Sequence, residues 1–238
     1  MLYNLLFPLA DEYQIFNLFK YLTFRSGGAV MTALIISFII GPRLIRWLKS
    51  KQQGGQPIRD DGPESHLLTK KGTPTMGGLM MLFAVSVSTL LWADLRNHYV
   101  WIVLFVTLGF GAIGFADDYL KVSKKNVKGL SGKKKLLAQF VIATSAVFWI
   151  GDATSPDIAQ HLALPYLKNL VLDLGILYLP FAVLVMIGAS NAVNLTDGLD
   201  GLAIVPIMIA AGCFALISYL VGNAVFAGYL HLVPVPGS

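Results

Sequence analysis

The stretch LAIVPIMIAAGCFALISYL, residues 202–220, contains no charged side chain. Its length is close to the roughly 20 apolar residues that an α-helix needs to cross a bilayer. It follows NLTDGLDG, residues 194–201, which has a second apolar run, residues 174–186, on its other side. Polar groups concentrated between apolar runs are costly unless they face water or take part in chemistry. These segments predict a membrane protein with a polar site at the membrane boundary.

The composition of the whole chain also indicates a membrane protein. Of its 238 residues, 55% are hydrophobic and only 13% are charged, whereas soluble domains carry about 25% charged residues. The net charge of +5 is then expected to reflect topology and contact with anionic lipid, and we expect no nucleic-acid partner. Cys213 is the single cysteine, which excludes a disulfide within the chain.

The hydrophobic pattern predicts an all-α fold, a polytopic transmembrane helical bundle with about six spans in this chain. We expect residues 1–238 to form a single integral membrane domain. Residues 3–24 are amphipathic and rich in aromatic side chains, a pattern typical of a segment lying in the membrane interface. The predicted spans are residues 28–47, 75–92, 99–116, 136–150, 174–190 and 202–221.

The basic residues predict the orientation of these spans. Of the 18 Lys and Arg residues, most lie in two loops separated by two spans, so both loops are expected on one side. The positive-inside rule makes that side the cytoplasm. The N-terminus then lies outside, in the periplasm, and residues 191–201 lie in the cytoplasm. The two basic groups are Arg43, Arg46, Lys49, Lys51, Arg59, Lys70 and Lys71, and Lys121, Lys124, Lys125, Lys128, Lys133, Lys134 and Lys135.

Asp117 and Asp118 close the third predicted span. Adjacent carboxylates at a membrane boundary repel each other and resist desolvation. A divalent cation relieves both costs, and Mg²⁺ is favoured because it takes oxygen ligands and is shared with substrate phosphates. A hydrated helix end with Lys121 and Lys124 as partners explains the pair equally well.

Asn194, Asp197 and Asp200 supply a carboxamide and two carboxylates within the polar segment. Asp197 and Asp200 would share one face of a helical turn, and Gly198 permits a close approach of the backbone to a ligand. The alternative is a polar turn that only links two spans. Two acids and an Asn beside lipid favour a functional site.

The segment KKGTPTMGG, residues 70–78, precedes the second predicted span. Lys70 supplies phosphate-binding charge, and a helix beginning near Thr75 would present free N-terminal amides to an anion. A basic helix start with small residues for helix packing is the alternative. The GxGxxG pattern at residues 109–114 lies inside a span, where close helix packing explains it better than dinucleotide binding.

Three of these motifs together resemble a known family. KGTPTMGG (residues 71–78), GFADDY (114–119) and NAVNLTDGLDG (191–201) are similar to the signatures of the phospho-N-acetylmuramoyl-pentapeptide-transferases, the MraY-type translocases. These belong to the polyprenyl-phosphate glycosyl-1-phosphate transferases. The similarity runs along essentially the whole chain, with the motifs in the family's order.

The resemblance implies a Mg²⁺-dependent phosphoglycosyl transferase of the bacterial inner membrane. It implies transfer of phospho-N-acetylmuramoyl-pentapeptide from UDP-MurNAc-pentapeptide to undecaprenyl phosphate, giving lipid I and UMP in the first membrane step of peptidoglycan synthesis. By the same resemblance, Asp117, Asp118 and Asp197 are the catalytic and metal-binding residues. The substrate-binding residues that it implies are Lys70, Thr75, Asn194, Gly198, Leu199 and Asp200.

The resemblance also implies features beyond the printed sequence. Family members continue through several more spans, which carry a further metal-binding aspartate and a histidine-rich cytoplasmic loop. The chain is therefore expected to be the N-terminal part of a longer fold and to be inactive alone. A homodimer is expected by resemblance. The alternatives are a related transferase that uses UDP-N-acetylglucosamine and a non-catalytic membrane fragment.

Overall fold

The computed structural model describes residues 1–52, 74–124, 129–164, 170–197, 202–230, 232 and 235. Almost all of the regular structure in these ranges is helical, which confirms the predicted all-α class. The α-helices are α1 (Leu2–Leu6), α2 (Leu22–Lys51), α3 (Gly78–Trp92), α4 (His98–Ser123), α5 (Gly132–Ala153), α6 (Pro156–Ala159), α7 (Tyr178–Thr196), α8 (Ile204–Gly222) and α9 (Ala224–Leu230).

Each of the six predicted spans coincides with a helix, and five of the helices are long and apolar enough to cross a membrane. The exception is α3, which has 15 residues and is therefore about 22 Å long. It begins at Gly78 because Met76 has a φ of +74°, a left-handed conformation that cannot belong to a right-handed helix. The prediction that this helix begins near Thr75 is wrong by three residues.

Short 3₁₀ segments and one small sheet complete the described structure. The 3₁₀ segments are Phe7–Asp11, Gln14–Lys20 and Gly175–Leu177. Strands β1 (His161–Ala163) and β2 (Val171–Asp173) pair antiparallel, with Leu162 opposite Leu172. The hydrophobic pattern alone did not predict this hairpin.

Backbone contacts divide the chain into two compact units, Met1–Ala138 and Gln139–Ser238. The prediction of one integral membrane domain stays a prediction. In the first unit, α2 packs against α3, and α3 packs against α4. Gly111 of α4 lies directly against the side chain of Leu82, which agrees with the helix-packing explanation of the GxGxxG pattern.

The side chain of Trp92 anchors the start of α2 in the first unit. Its ring stacks on Phe19 with a centroid distance of 5.9 Å, and its indole N–H donates to the Thr32 hydroxyl at 2.9 Å. Gly28 lies so close to this ring that an added Cβ would be 2.5 Å from it. A side chain larger than hydrogen at position 28 would therefore displace the ring.

The second unit has a small core between α5 and α7. Ala143, Val147 and Val183 are buried there. Gln139 is also buried, at 1% exposure, and its Oε1 accepts a hydrogen bond of 2.9 Å from Asn191 Nδ2. A buried amide that finds a partner avoids the desolvation cost of an unpaired polar group.

The membrane-length helices bury little of their apolar surface within the chain. In the most apolar window of each helix, between 0% and 22% of the residues are buried. Large side chains such as Phe38, Ile176 and Leu184 are exposed by 70% or more. Apolar exposure on this scale is not tolerated in water, so the chain is a multi-pass membrane protein.

Candidate functional site

Asp117 and Asp118 lie within α4, because the helix continues to Ser123. The prediction that the pair closes a helix is therefore corrected. A 26-residue helix is about 39 Å long, which exceeds the roughly 30 Å hydrocarbon core of a bilayer. The helix can thus carry the acidic pair at one end of its membrane-crossing part and continue beyond it.

The carboxylate of Asp117 is held by one basic side chain and one backbone amide. Lys121 Nζ lies 2.5 Å from Asp117 Oδ2, one helical turn further along α4. The Leu130 N–H donates a hydrogen bond of 2.7 Å to Oδ1. Gly129, with a φ of +56°, brings this amide to the carboxylate, and an added Cβ there would collide with Asp117 Oδ1.

The carboxylate of Asp118 has a different set of partners. The Thr75 hydroxyl donates to its Oδ2 at 2.8 Å, and Lys121 Nζ lies 3.7 Å from its Oδ1. Lys121, one of the two lysine partners that the alternative explanation named, therefore contacts both acids. The Asp118 side chain is 32% exposed, against 19% for Asp117, so Asp118 is the more accessible acid.

Thr75 reaches Asp118 from the segment before α3. Its N–H donates to Gln52 Oε1 at 3.0 Å, and its carbonyl accepts from Gln52 Nε2 at 3.2 Å. The Thr75 amide is thus already hydrogen-bonded and is not a free N-terminal amide of a helix. In this structure the Thr75 hydroxyl, and not its backbone, is the group directed at the acidic pair.

Asn194 and Asp197 belong to the second unit. Asn194 lies in the last turn of α7, and Asp197 follows as the C-cap residue. Both side chains are exposed. Asn194 and Asp197 are three residues apart, so they are neighbours on the surface of the helix end. The segment is therefore helical up to Thr196, and residues 198–201, on which the alternative of a linking turn depends, lie outside the described residues.

Four of the predicted substrate-binding residues lie outside the described residues. They are Lys70, Gly198, Leu199 and Asp200. Within the described ranges, the structure brings together Thr75, Asp117 and Asp118 of the first unit. The roles of all nine predicted residues stay predictions.

The described ranges contain no group of three or more His, Cys, Asp or Glu side chains able to hold a metal ion. Mg²⁺ often takes only one or two protein carboxylates, with substrate phosphates and water completing its ligands. Asp117 and Asp118 supply such carboxylates, and the Thr75 hydroxyl is a further oxygen donor beside them. The chemistry of these donors fits Mg²⁺.

Sequence reasoning missed Gln52, Gly129 and the Leu130 amide, which hold the site, and Gln139 in the second unit. Gln52 is 23 positions from Thr75, and nothing in the sequence links the two. Gly129 gave a weak signal, because a glycine in a short polar connection often marks a left-handed backbone.

Five membrane-length helices among the described residues, with an acidic pair and a lysine near the end of the membrane-crossing part of α4, define a multi-pass membrane protein with a polar site. The family model described as Glycosyl transferase family 4 matches residues 100–235. This match covers more than half of the chain, including both acids of the pair. The chain belongs to Glycosyl transferase family 4.

Curated relatives match the chain over nearly all of its length. A phospho-N-acetylmuramoyl-pentapeptide-transferase of Granulibacter bethesdensis is 64% identical over 238 residues, which are 100% of this chain and 66% of the relative. A protein of the same name from Maricaulis maris is 54% identical over 237 residues, which are 98% of this chain and 65% of the relative. The chain thus spans slightly less than two thirds of the length of each.

Proposed function

We propose that the protein is a phospho-N-acetylmuramoyl-pentapeptide-transferase. The observation that carries this proposal is the 64% identity to a relative of that name, sustained over the full length of the chain. In the proposed reaction, a phosphate oxygen of undecaprenyl phosphate attacks the sugar-linked phosphorus of UDP-MurNAc-pentapeptide. The bond to the other phosphate breaks, UMP leaves, and lipid I is formed.

The arrangement of Thr75, Asp117, Asp118 and Lys121 supports phosphoryl transfer. Such reactions depend mainly on positioning and on neutralising phosphate charge. Lys121 offers a cation next to both carboxylates. By the family resemblance, Asp117 would help to deprotonate or position the lipid phosphate, with the more accessible Asp118 beside it. Asn194 and Asp197, with Lys70, Gly198, Leu199 and Asp200, would bind the nucleotide diphosphate.

Mg²⁺ belongs to this proposal as the expected cofactor. Asp117, Asp118 and Asp197 would hold the ion, which when bound would neutralise the diphosphate and stabilise the departing UMP. The active face would be cytoplasmic, since the basic loops are expected on that side. The N-terminus would be periplasmic, the membrane would be the bacterial inner membrane, and the protein would act as a homodimer.

The test compares three purified polypeptides, with no longer homologue present. They are residues 1–238, a fusion of residues 1–238 to the part of the Granulibacter relative that the chain does not match, and that part alone. Each receives UDP-MurNAc-pentapeptide labelled in the sugar, undecaprenyl phosphate and Mg²⁺. We expect labelled lipid and UMP from the fusion only. A fusion that is folded and inserted but produces no labelled lipid would contradict the proposal.

Substitutions in the fusion test the acids. Asp117→Asn, Asp118→Asn and Asp197→Asn should each lower the rate by about 100-fold or more, a typical contribution of acid–base groups. Asp152→Asn is the matched control, because Asp152 is an exposed acid near the C-terminal end of α5, in a different helix from Asp117 and Asp118. Unlabelled UDP-N-acetylglucosamine should not compete; strong competition would favour the related sugar transferase.

A further inference from the structure

Gln52 is a buried polar residue that follows α2 directly, and its side chain is 6% exposed. Its amide group pairs with both backbone groups of Thr75. Oε1 accepts from the Thr75 N–H at 3.0 Å, and Nε2 donates to the Thr75 carbonyl at 3.2 Å. Two hydrogen bonds to one residue fix both its position and its rotation, much as a neighbouring β-strand would.

The segment that Gln52 holds is not stabilised by helical structure. Thr75 and Met76 precede α3, and Met76 has a φ of +74°. For a residue other than glycine, a left-handed conformation is sterically unfavourable. Such strain persists only where surrounding contacts determine the backbone. Nε2 of Gln52 also lies 3.7 Å from the Met76 Sδ, so one side chain contacts both the strained Met76 and the residue before it.

This pairing determines where the Thr75 hydroxyl points. With the backbone of Thr75 fixed, its Oγ1 donates to Asp118 Oδ2 at 2.8 Å. We infer that Gln52 is a positioning residue, which holds Thr75 so that its hydroxyl orients the Asp118 carboxylate. The contribution to the reaction rests on the proposed transferase function, whereas the pairing itself rests on the geometry. Gln52 contacts neither substrate nor metal in this role and acts through Thr75.

Hydrogen exchange tests the pairing without reference to activity. In residues 1–238 in detergent, Gln52→Leu should accelerate exchange of the Thr75 amide by about tenfold or more, because that amide loses its acceptor. Thr75→Val should leave the exchange at position 75 unchanged, because it removes only the hydroxyl. Ser50→Ala is the matched control, since the exposed Ser50 hydroxyl donates to the Trp47 carbonyl of its own helix. Unchanged exchange in Gln52→Leu would overturn the inference.

A double-mutant cycle in the fusion tests the effect on the reaction. Gln52→Leu and Thr75→Val should each lower kcat by about tenfold, the cost of a lost hydrogen bond to a charged group. The double variant should be no slower than Thr75→Val alone, because Gln52 acts through the Thr75 hydroxyl. Thr75→Ser should retain activity. Losses that multiply in the double variant would show that the residues act independently and would overturn the inference.

A second substitution at position 52 and the activity of the unsubstituted fusion complete the test. If Gln52→Leu does not fold, Gln52→Glu replaces it, because the glutamate keeps the acceptor for the Thr75 N–H but loses the donor to the carbonyl. Exchange of the Thr75 amide should then stay close to that of the parent, because its acceptor is kept, and kcat should lie between that of the parent and that of Thr75→Val, because the donor to the Thr75 carbonyl is lost. A kcat equal to that of the parent would overturn the inference. If the unsubstituted fusion makes no labelled lipid, the proposed function fails, and hydrogen exchange alone decides whether Gln52 holds Thr75.

Discussion

The Thr75 hydroxyl donates a hydrogen bond of 2.8 Å to Oδ2 of Asp118, although the two residues are 43 positions apart in the sequence. This bond joins the segment before α3 to α4. It also distinguishes the two acids of the pair, because Asp117 accepts instead from the Leu130 amide and lies closer to Lys121, which contacts both acids. Neighbouring carboxylates with different partners are suited to different tasks in one site.

Gly129 should not tolerate a side chain. Its φ is +56°, and an added Cβ would overlap the Asp117 carboxylate and approach Lys121 Cε. Gly129→Ala should lower the free energy of unfolding by about 1–2 kcal/mol, the cost of a left-handed alanine, and should lower the Tm in detergent. Gly132→Ala is the matched control, because no atom lies within 4 Å of a Cβ there. Equal Tm values for the two variants would contradict the prediction.

Gly27 and Gly28 are adjacent in α2, and replacing them by alanine should have opposite effects on the stability of the protein. A Cβ at Gly28 would lie 2.5 Å from the Trp92 ring, whereas a Cβ at Gly27 meets nothing within 4 Å. The Trp92 ring is held by Phe19 and Thr32, so it cannot easily move. Gly28→Ala should destabilise the protein by about 1–3 kcal/mol, and Gly27→Ala should stabilise it slightly. Thermal unfolding of both variants under identical conditions checks the contrast.

Gln139 should be costly to replace by an apolar side chain of similar size. It is 1% exposed, and its Oε1 accepts from Asn191 Nδ2. Gln139→Leu should destabilise the protein by about 1–3 kcal/mol, because Asn191 loses an acceptor that water cannot readily replace. Gln160→Leu, at an exposed position, controls for the change of residue type. The prediction fails if both variants unfold at the same denaturant concentration.

The predicted orientation can be tested with single cysteines. Cys213 is the only cysteine, so Cys213→Ser provides a background without thiols. Arg96→Cys and Lys134→Cys then probe exposed positions in the first loop after α3 and at the start of α5. The positive-inside rule predicts that an impermeant maleimide labels Arg96→Cys in intact spheroplasts, and labels Lys134→Cys only after lysis. The reverse labelling pattern would show that the protein has the opposite orientation in the membrane.

The hydrophobic pattern predicted the helices well because each span must be apolar along its length and must satisfy its own backbone hydrogen bonds. These are local requirements, so they leave a signal in consecutive residues. The end of α3 at Trp92 was predicted correctly, but its start was predicted at residue 75 and lies at Gly78. That boundary depends on the left-handed backbone of Met76, which Gln52 contacts from 24 positions away.

The sequence by itself determined that this protein crosses a membrane through apolar helices and carries acids and lysines next to them. The three-dimensional structure decided which of these groups meet: Thr75 with Asp118, Lys121 with both acids, and the Leu130 amide with Asp117. It also showed that Gln52 and Gly129, whose importance no motif indicated, hold this arrangement. The physical reason is that hydropathy acts residue by residue, whereas a hydrogen bond between distant segments exists only after the helices have packed.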